Sequence, residues 1–270
     1  LAQPEILRDS IKVLSGLINE ARLQISKDGI KIVEMDLANV GMTIYHLLPS
    51  ACVEYALNNP IAKEGTGLNE DSFSIGLNLN SLSAILKNAK KSDILVLSLD
   101  TDNEYILNIS LKGSITRNYT LPLIDLSDKN ETKIPNFDFK AKVKMPSNAF
   151  ADAVNEANTI AGSVVFGVIE SYTETEPITK VDRMVSSLTV SADGDLQKLN
   201  IPFGEDENTK IYGEAKAKYN IKYLKKMSAA KCLNDEVIIE FGSDYPLRLT
   251  YRQVDRLSLS FILAPRVEND

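Results

Sequence analysis

Histidine occurs once in this sequence of 270 residues, at His46, and cysteine twice, at Cys52 and Cys232. A single imidazole and no C-x-x-C pair give no basis for a zinc knuckle or a redox dithiol. The cysteines are therefore expected to be buried thiols outside any disulfide, and His46 a strand-surface residue. There is no G-x-S-x-G elbow and no G-x-x-x-x-G-K-[ST] phosphate loop, and Gly65-Thr66-Gly67 lies in a polar loop rather than between a strand and a helix. No cofactor and no metal is expected. Long hydrophobic runs are also missing: none nears the ~20 residues that span a bilayer. The opening LAQPEILRDS lacks the charged-then-apolar layout of a signal peptide. The chain is read as soluble and intracellular, and because it opens on Leu1, a few residues of a first strand are expected to precede it.

What is present is an ordinary globular composition, 44% hydrophobic and 25% charged, in a length that suits two domains. The net charge of −7 argues against a phosphate-binding partner unless the charges are segregated.

Alternating or continuous apolar runs predict strands at Leu23–Ser26, Gly29–Met35, Gly41–Leu48, Ser72–Leu77, Ile94–Leu99 and Tyr105–Leu111. Helical spacing places Leu7, Ile11, Leu14, Leu17 and Ile18 on one stripe of Glu5–Ala21, and Leu82, Ile85, Leu86 and Ala89 on one of Asn80–Lys91. Few helices among many strands predict an α+β fold in which each stripe covers an antiparallel sheet. The second half repeats the first. At an offset of 142, Leu79 meets Ile221, Leu82 meets Leu224, Ile85 meets Met227, Asp93 meets Asp235, Leu97 meets Ile239 and Leu99 meets Phe241. At 143, Leu7 meets Phe150, Ile11 Val154, Leu14 Ala157, Leu17 Ile160 and Leu23 Phe166. Two registers agreeing within one residue imply duplication of a whole domain. Between the copies, Leu123–Phe137 has neither periodicity and reads as an exposed linker; Asn58–Asp71, Ser171–Asp182 and Gly204–Lys210 read as loops.

Several segments, in order and correctly spaced, carry a family resemblance. LINEARLQISKDGIKIVEMDLANV (Leu17–Val40) resembles the early helix, strands and Met-Asp turn of the proliferating cell nuclear antigen (PCNA) family of DNA sliding clamps. LNLNSLSAILKNAKKSD (Leu77–Asp93) resembles its second helix, KVKMPSNAFADAV (Lys142–Val154) the start of its second domain, and SDYPLRLTY (Ser243–Tyr251) and LAPRVE (Leu263–Glu268) its closing strand and tail. The resemblance implies clamp domains at 1–122 and 138–270 joined by a connector at 123–137, each with antiparallel sheets outside and two helices inside. It further implies a trimeric ring of identical or different subunits around double-stranded DNA.

In such a ring the helices line the hole, so their charges decide the question that the net charge raised. Glu5–Ala21 sums to −1, Asn80–Lys91 to +3, Ser147–Ala161 to −2 and Asn220–Lys231 to +4; the four give +4 and leave −11 for the rest. The expected DNA-facing residues are Arg8, Lys12, Lys87, Lys90, Lys91, Lys222, Lys225, Lys226 and Lys231. The third helix departs from the family by offering Asp152, Asn155 and Thr159. By resemblance, Ser114–Leu121 pairs with Leu196–Phe203 of the next subunit, through Ser114, Thr116, Asn118 and Thr120 on one side and Leu196, Lys198, Asn200 and Pro202 on the other. Also by resemblance, short hydrophobic peptides of DNA polymerase, clamp loader, flap endonuclease and DNA ligase dock on Met35, Asn39, Val40, Ile134, Pro135, Pro246, Ile262, Leu263, Ala264 and Pro265. The protein is then a non-catalytic scaffold that acts with the chromosome, in an archaeal cytoplasm or a eukaryotic nucleus, with no membrane partner. Two alternatives keep weight on other features: a checkpoint-type clamp subunit for damage signalling, and a carboxylate enzyme built on Glu34 and Asp36.

Overall fold

The computed structural model describes residues 1–57, 72–99, 106–126, 132–175 and 182–266, the last two stretches without the side chains of 170–185. The chain forms two compact units: Leu1–Ile134 with Arg252–Leu259, and Pro135–Tyr251 with Ser260–Asp270. The expected loop at 58–71 lies outside the described residues, as do 176–181 of the loop expected at Ser171–Asp182; Ser171–Thr175 instead continues a strand.

The first unit opens with α1 (Pro4–Ser15), where Pro4 takes a helix-start position at which its missing N–H is not needed. Leu7, Ile11 and Leu14 are buried along it. The helix is shorter than its apolar spacing suggests. Gly16 weakens it, and the Gly16 and Leu17 amides turn back to the carbonyls of Val13 (3.2 Å) and Leu14 (2.9 Å). Residues expected to be helical therefore begin β1 (Glu20–Ser26), followed by β2 (Gly29–Met35) and β3 (Gly41–Leu47). Next come β4 (Ser72–Asn78), α2 (Leu79–Leu86), β5 (Ile94–Leu99), β6 (Ile106–Lys112) and β7 (Thr116–Pro122). β3-β2-β1-β4 run antiparallel in that order, and β5-β6-β7 form a second antiparallel sheet. The Asn78 side chain caps α2 by accepting the Ser81 amide at 2.9 Å. α2 stops at Leu86, five residues before the expected end, because Asn88 and Ala89 bond three residues back and the Lys90 amide turns to the Asp93 carboxylate at 2.8 Å.

The remainder of the chain contains β8 (Ala141–Pro146), α3 (Ser147–Ile160), β9 (Ser163–Thr175), β10 (Asp182–Asp193), β11 (Lys198–Gly204), β12 (Lys210–Tyr212), β13 (Ala215–Asn220), α4 (Ile221–Ser228), β14 (Glu236–Phe241), β15 (Leu247–Gln253) and β16 (Leu257–Leu263), of which residues 252–259 belong to the first unit. One sheet has the order β11-β10-β9-β13, and β12, β8, β14, β15 and β16 follow one another in another. The repeat read from the sequence is visible here. Asn220 caps α4 as Asn78 caps α2, and β14 stands where β5 does at the offset of 142. α1 and α3 start 143 residues apart. α4 also ends early, at Ser228, and passes into a 3₁₀ turn, Ala229–Cys232.

The cysteines are not both buried as expected. Cys52 is half-buried and Cys232 exposed, each just at the end of a short 3₁₀ turn, and neither is in a disulfide. His46 is half-buried on β3, with Nε2 2.8 Å from the Asp28 carbonyl.

The core of the second unit is aromatic: Phe166 meets Phe150, Tyr219 and Phe241 with centroids 6.0, 5.7 and 6.2 Å away, and all four are fully buried. Phe166→Ala should lower unfolding stability by about 3–5 kcal/mol, the usual size for a buried aromatic replaced by a cavity. Chemical denaturation checks this.

Candidate nucleic-acid face and partner surfaces

Helix α4 is amphipathic in the way a polyanion requires. Ile221, Leu224 and Met227 are buried, which turns Lys222, Lys225 and Lys226, spaced three and four apart, to solvent on one face. Lys231 follows in the 3₁₀ turn with its Nζ 3.6 Å from Asp152 of α3, so part of its charge is matched. In the first unit Lys12 is exposed in the last turn of α1. Arg8 is committed elsewhere: its guanidinium pairs with Asp9 at 2.8 Å and donates to the Ala89 carbonyl at 3.2 Å.

The charge separation expected of the helices is weaker than their predicted lengths gave. α1 balances Arg8 and Lys12 against Glu5 and Asp9, α2 carries no charge, α3 carries Asp152 and Glu156, and α4 carries three lysines, so the helices hold one net positive charge. Lys87, Lys90 and Lys91 are all exposed, but on the turn after α2 rather than on the helix. That turn leans on β7, whose Arg117 donates to the Asn88 carbonyl at 2.7 Å and pairs with Asp93.

The turn after β2 is organised by Asp36. Its buried carboxylate accepts the amides of Ala38 (3.2 Å), Val40 (2.7 Å) and Gly41 (2.6 Å), while Asn39 takes a left-handed conformation with φ 55°. Met35 and Val40 are half-exposed beside it, and Asn39 and Leu37 are exposed. Glu34 accepts the Arg22 amide at 2.9 Å. Both members of the suggested acid–base pair therefore serve backbone amides. Among the described residues no three His, Cys, Asp or Glu side chains gather as metal ligands would.

The linker is expected to be exposed throughout, yet its start is tied down: Ile124 bridges to Gly76 of β4 through an N–H···O bond of 2.9 Å, and Arg22 donates to the Leu126 carbonyl. Residues 127–131 lie outside the described residues. Ile134 and Pro135 are exposed. In the second unit Pro246, Ala264 and Pro265 are half-buried, and the Arg266 amide bonds the Lys218 carbonyl at 2.7 Å, fixing the tail. Ile262 is only 6% exposed and Leu263 not at all, so Leu263 supports the tail from inside and offers nothing to a docking peptide. A cluster that sequence reading missed lies next to Pro246: Phe137 stacks on Phe139 at 5.4 Å, both meet Tyr245 edge-on, and Arg248 lies 4.7 Å over Phe139 while pairing with Glu240. The F-x-F spacing of Phe137 and Phe139, at the end of the linker and just past it, was its only signal.

Of the residues expected at a subunit boundary, Thr116, Asn118 and Thr120 lie on β7 and Lys198, Asn200 and Pro202 on β11, each strand at the end of its sheet order. Ser114 and Leu196 sit in the preceding turns.

Asp93 was read only as a repeat position, but it holds the α2–β7 junction. The Lys90 amide, then the Arg117 guanidinium, keep its carboxyl below the ordinary carboxylate range. A depressed folded value contributes stability fully above the unfolded value of ~4 and loses it as pH falls through the folded value. Asp93→Asn should therefore lower the melting temperature at neutral pH, and the difference from the parent should vanish in acid. Calorimetry across the acid range measures this.

Comparison with known proteins also divides the chain in two. Residues 1–132 match the family model described as proliferating cell nuclear antigen, N-terminal domain, and residues 133–266 its C-terminal domain. The chain is 30% identical over 264 residues to the DNA polymerase sliding clamp of Nanoarchaeum equitans, covering 96% of this chain and 95% of that protein. It is 30% identical over 262 residues to the clamp of the same name in Pyrococcus furiosus, covering 96% and 93%, and 31% over 268 residues to that of Methanothrix thermoacetophila, covering 98% and 97%. With both domain types matched in order along nearly the whole chain, this protein belongs to the proliferating cell nuclear antigen family.

Proposed function

We propose that the chain is a DNA polymerase sliding clamp subunit, a scaffold that performs no chemistry and closes with two further subunits into a ring around duplex DNA. The observation that carries this reading is the near full-length match, in both directions, to proteins named DNA polymerase sliding clamp. The exposed lysine face of α4 supports it, with Lys12 of α1 as a second contact. Ammonium groups facing a phosphate backbone attract it at long range and read no base edges, so no position along the duplex is preferred and the ring can slide. Arg8 and Lys231, already engaged by Asp9 and Asp152, add less. The work is intracellular, with the chromosome.

Polymerase, clamp loader, flap endonuclease and ligase would be tethered through short peptides with hydrophobic anchors. Their contacts on this chain are Met35, Asn39 and Val40 of the Asp36-held turn, Ile134 and Pro135 of the linker, and Pro246, Ala264 and Pro265, with Ile262 at the margin. Apolar surface of this kind takes aliphatic and aromatic anchors.

Lys222→Glu with Lys225→Glu should abolish stimulation of a replicative polymerase on primed circular DNA, while sedimentation shows the assembly unchanged; stimulation at the parental level would remove the α4 face from the DNA contact. Ala264→Glu with Pro265→Glu should weaken a partner peptide at least about tenfold in calorimetry, the effect of losing roughly 1.4 kcal/mol of binding. Unchanged affinity would remove the tail from the peptide site.

A further inference from the structure

We infer that Arg22 and Gly76 are positioning residues for the capture of partner peptides: they hold the start of the linker, and Arg22 also ties it to the strand that leads into the turn at residues 36–41. The inference rests on the peptide reading above and adds two residues that act through the linker rather than on the peptide.

The antiparallel register of β1 and β4 sets Arg22 directly opposite Gly76. Opposite residues in a ladder share a face, so the Arg22 side chain stands beside a position where the neighbouring strand has none. The linker uses that bare position. Ile124 bridges to Gly76 from the other side of β4, its amide donating to the Gly76 carbonyl at 2.9 Å. A Cβ on Gly76 would stand 2.2 Å from the Ile124 carbonyl oxygen and 2.9 Å from Cγ of Leu126, closer than real Cβ atoms come. The φ of Gly76 is not in the left-handed region, so glycine is needed here for the approach of the linker and not for its own backbone. Arg22 then reaches across Gly76, and its guanidinium donates to the Leu126 carbonyl.

The backbone of Arg22 serves a second partner. Its amide donates to Glu34 Oε1 at 2.9 Å, and Glu34 lies next to Met35, the last residue of β2, where the Asp36-held turn begins. One residue thus ties, through two different groups, the strand that carries Met35 into the turn and the linker that leads to Ile134. Both belong to the first unit. Asp36 orders the turn from within by accepting three amides, whereas the start of the linker takes its order from Gly76 and Arg22 on other strands. A surface already ordered when the peptide arrives spares the complex the cost of ordering it, and a loosened segment must be fixed at the expense of affinity.

The test uses the full chain and a synthetic peptide with one aliphatic and two aromatic anchors, selected for binding to the parent. Arg22→Met keeps the aliphatic stem and removes the donors; Gly76→Ala sets a methyl group against the Ile124 carbonyl. Each should weaken the peptide at least about fivefold in calorimetry. Each should also speed hydrogen exchange at the Ile124 amide, while exchange in the core, the melting temperature and the affinity for duplex DNA stay at the parental level. Arg22→Lys, which keeps the charge and a donor, should recover part of the affinity. Arg22→Met introduces no clash, so it keeps the inference falsifiable should Gly76→Ala not fold. Parental peptide affinity in Arg22→Met, or a loss of affinity with Ile124 exchange unchanged, would overturn the inference. A peptide weakened by Ala264→Glu with Pro265→Glu but not by Arg22→Met overturns it and leaves the peptide site intact; one weakened by Arg22→Met but not by the tail pair removes the tail from that site and leaves this inference standing.

Discussion

Helices of 8 to 14 residues are marginal on their own in water, so α1 to α4 exist because each buries an apolar stripe. α1 packs with α2 and α3 with α4, and each pair lies on strands of its own unit. Fixing the apolar stripe inward also fixes what faces out. On α4 that is a row of lysines at helical spacing, held because Leu224 and Met227 cannot leave the core without exposing their surface to water. The electrostatic face is thus a by-product of hydrophobic packing, and its orientation is as secure as the core beneath it.

Among the described residues, each unit has a sheet whose order ends in a strand without a further neighbour, β7 in the first and β11 in the second. Edge strands of this kind invite pairing, and natural proteins either blunt such edges or use them. Here Pro202 interrupts the row of donors on β11 and Lys198 carries a charge matched by Asp193 at 2.8 Å. Those features restrain casual pairing without closing the edge.

Loops and turns between the elements take their order from polar contacts that no periodicity announces. Asp36 collects three amides to hold the turn at residues 36–41, and Asn39 accepts a left-handed backbone to complete it. The linker is tied at its start by an added bridge on β4, and the Phe137–Phe139–Tyr245 cluster orders its other end within the second unit.

The amino-acid order alone determined the α+β class, the duplication, the strands β2 and β5 to the residue, and the family, because each is written in local periodicity or in motifs of contiguous residues. Tertiary structure decided where the helices stop, since Gly16 and the Lys90–Asp93 bond end them although the apolar spacing continues. It also decided which charges are available. Arg8 and Arg117 are basic in sequence but spent on Asp9 and Asp93, and Leu263 is apolar in a recognisable tail but lies wholly inside. The pairing of a side chain and its burial depend on residues distant in sequence, such as Arg117 and Asp93, and one-dimensional pattern carries no record of them.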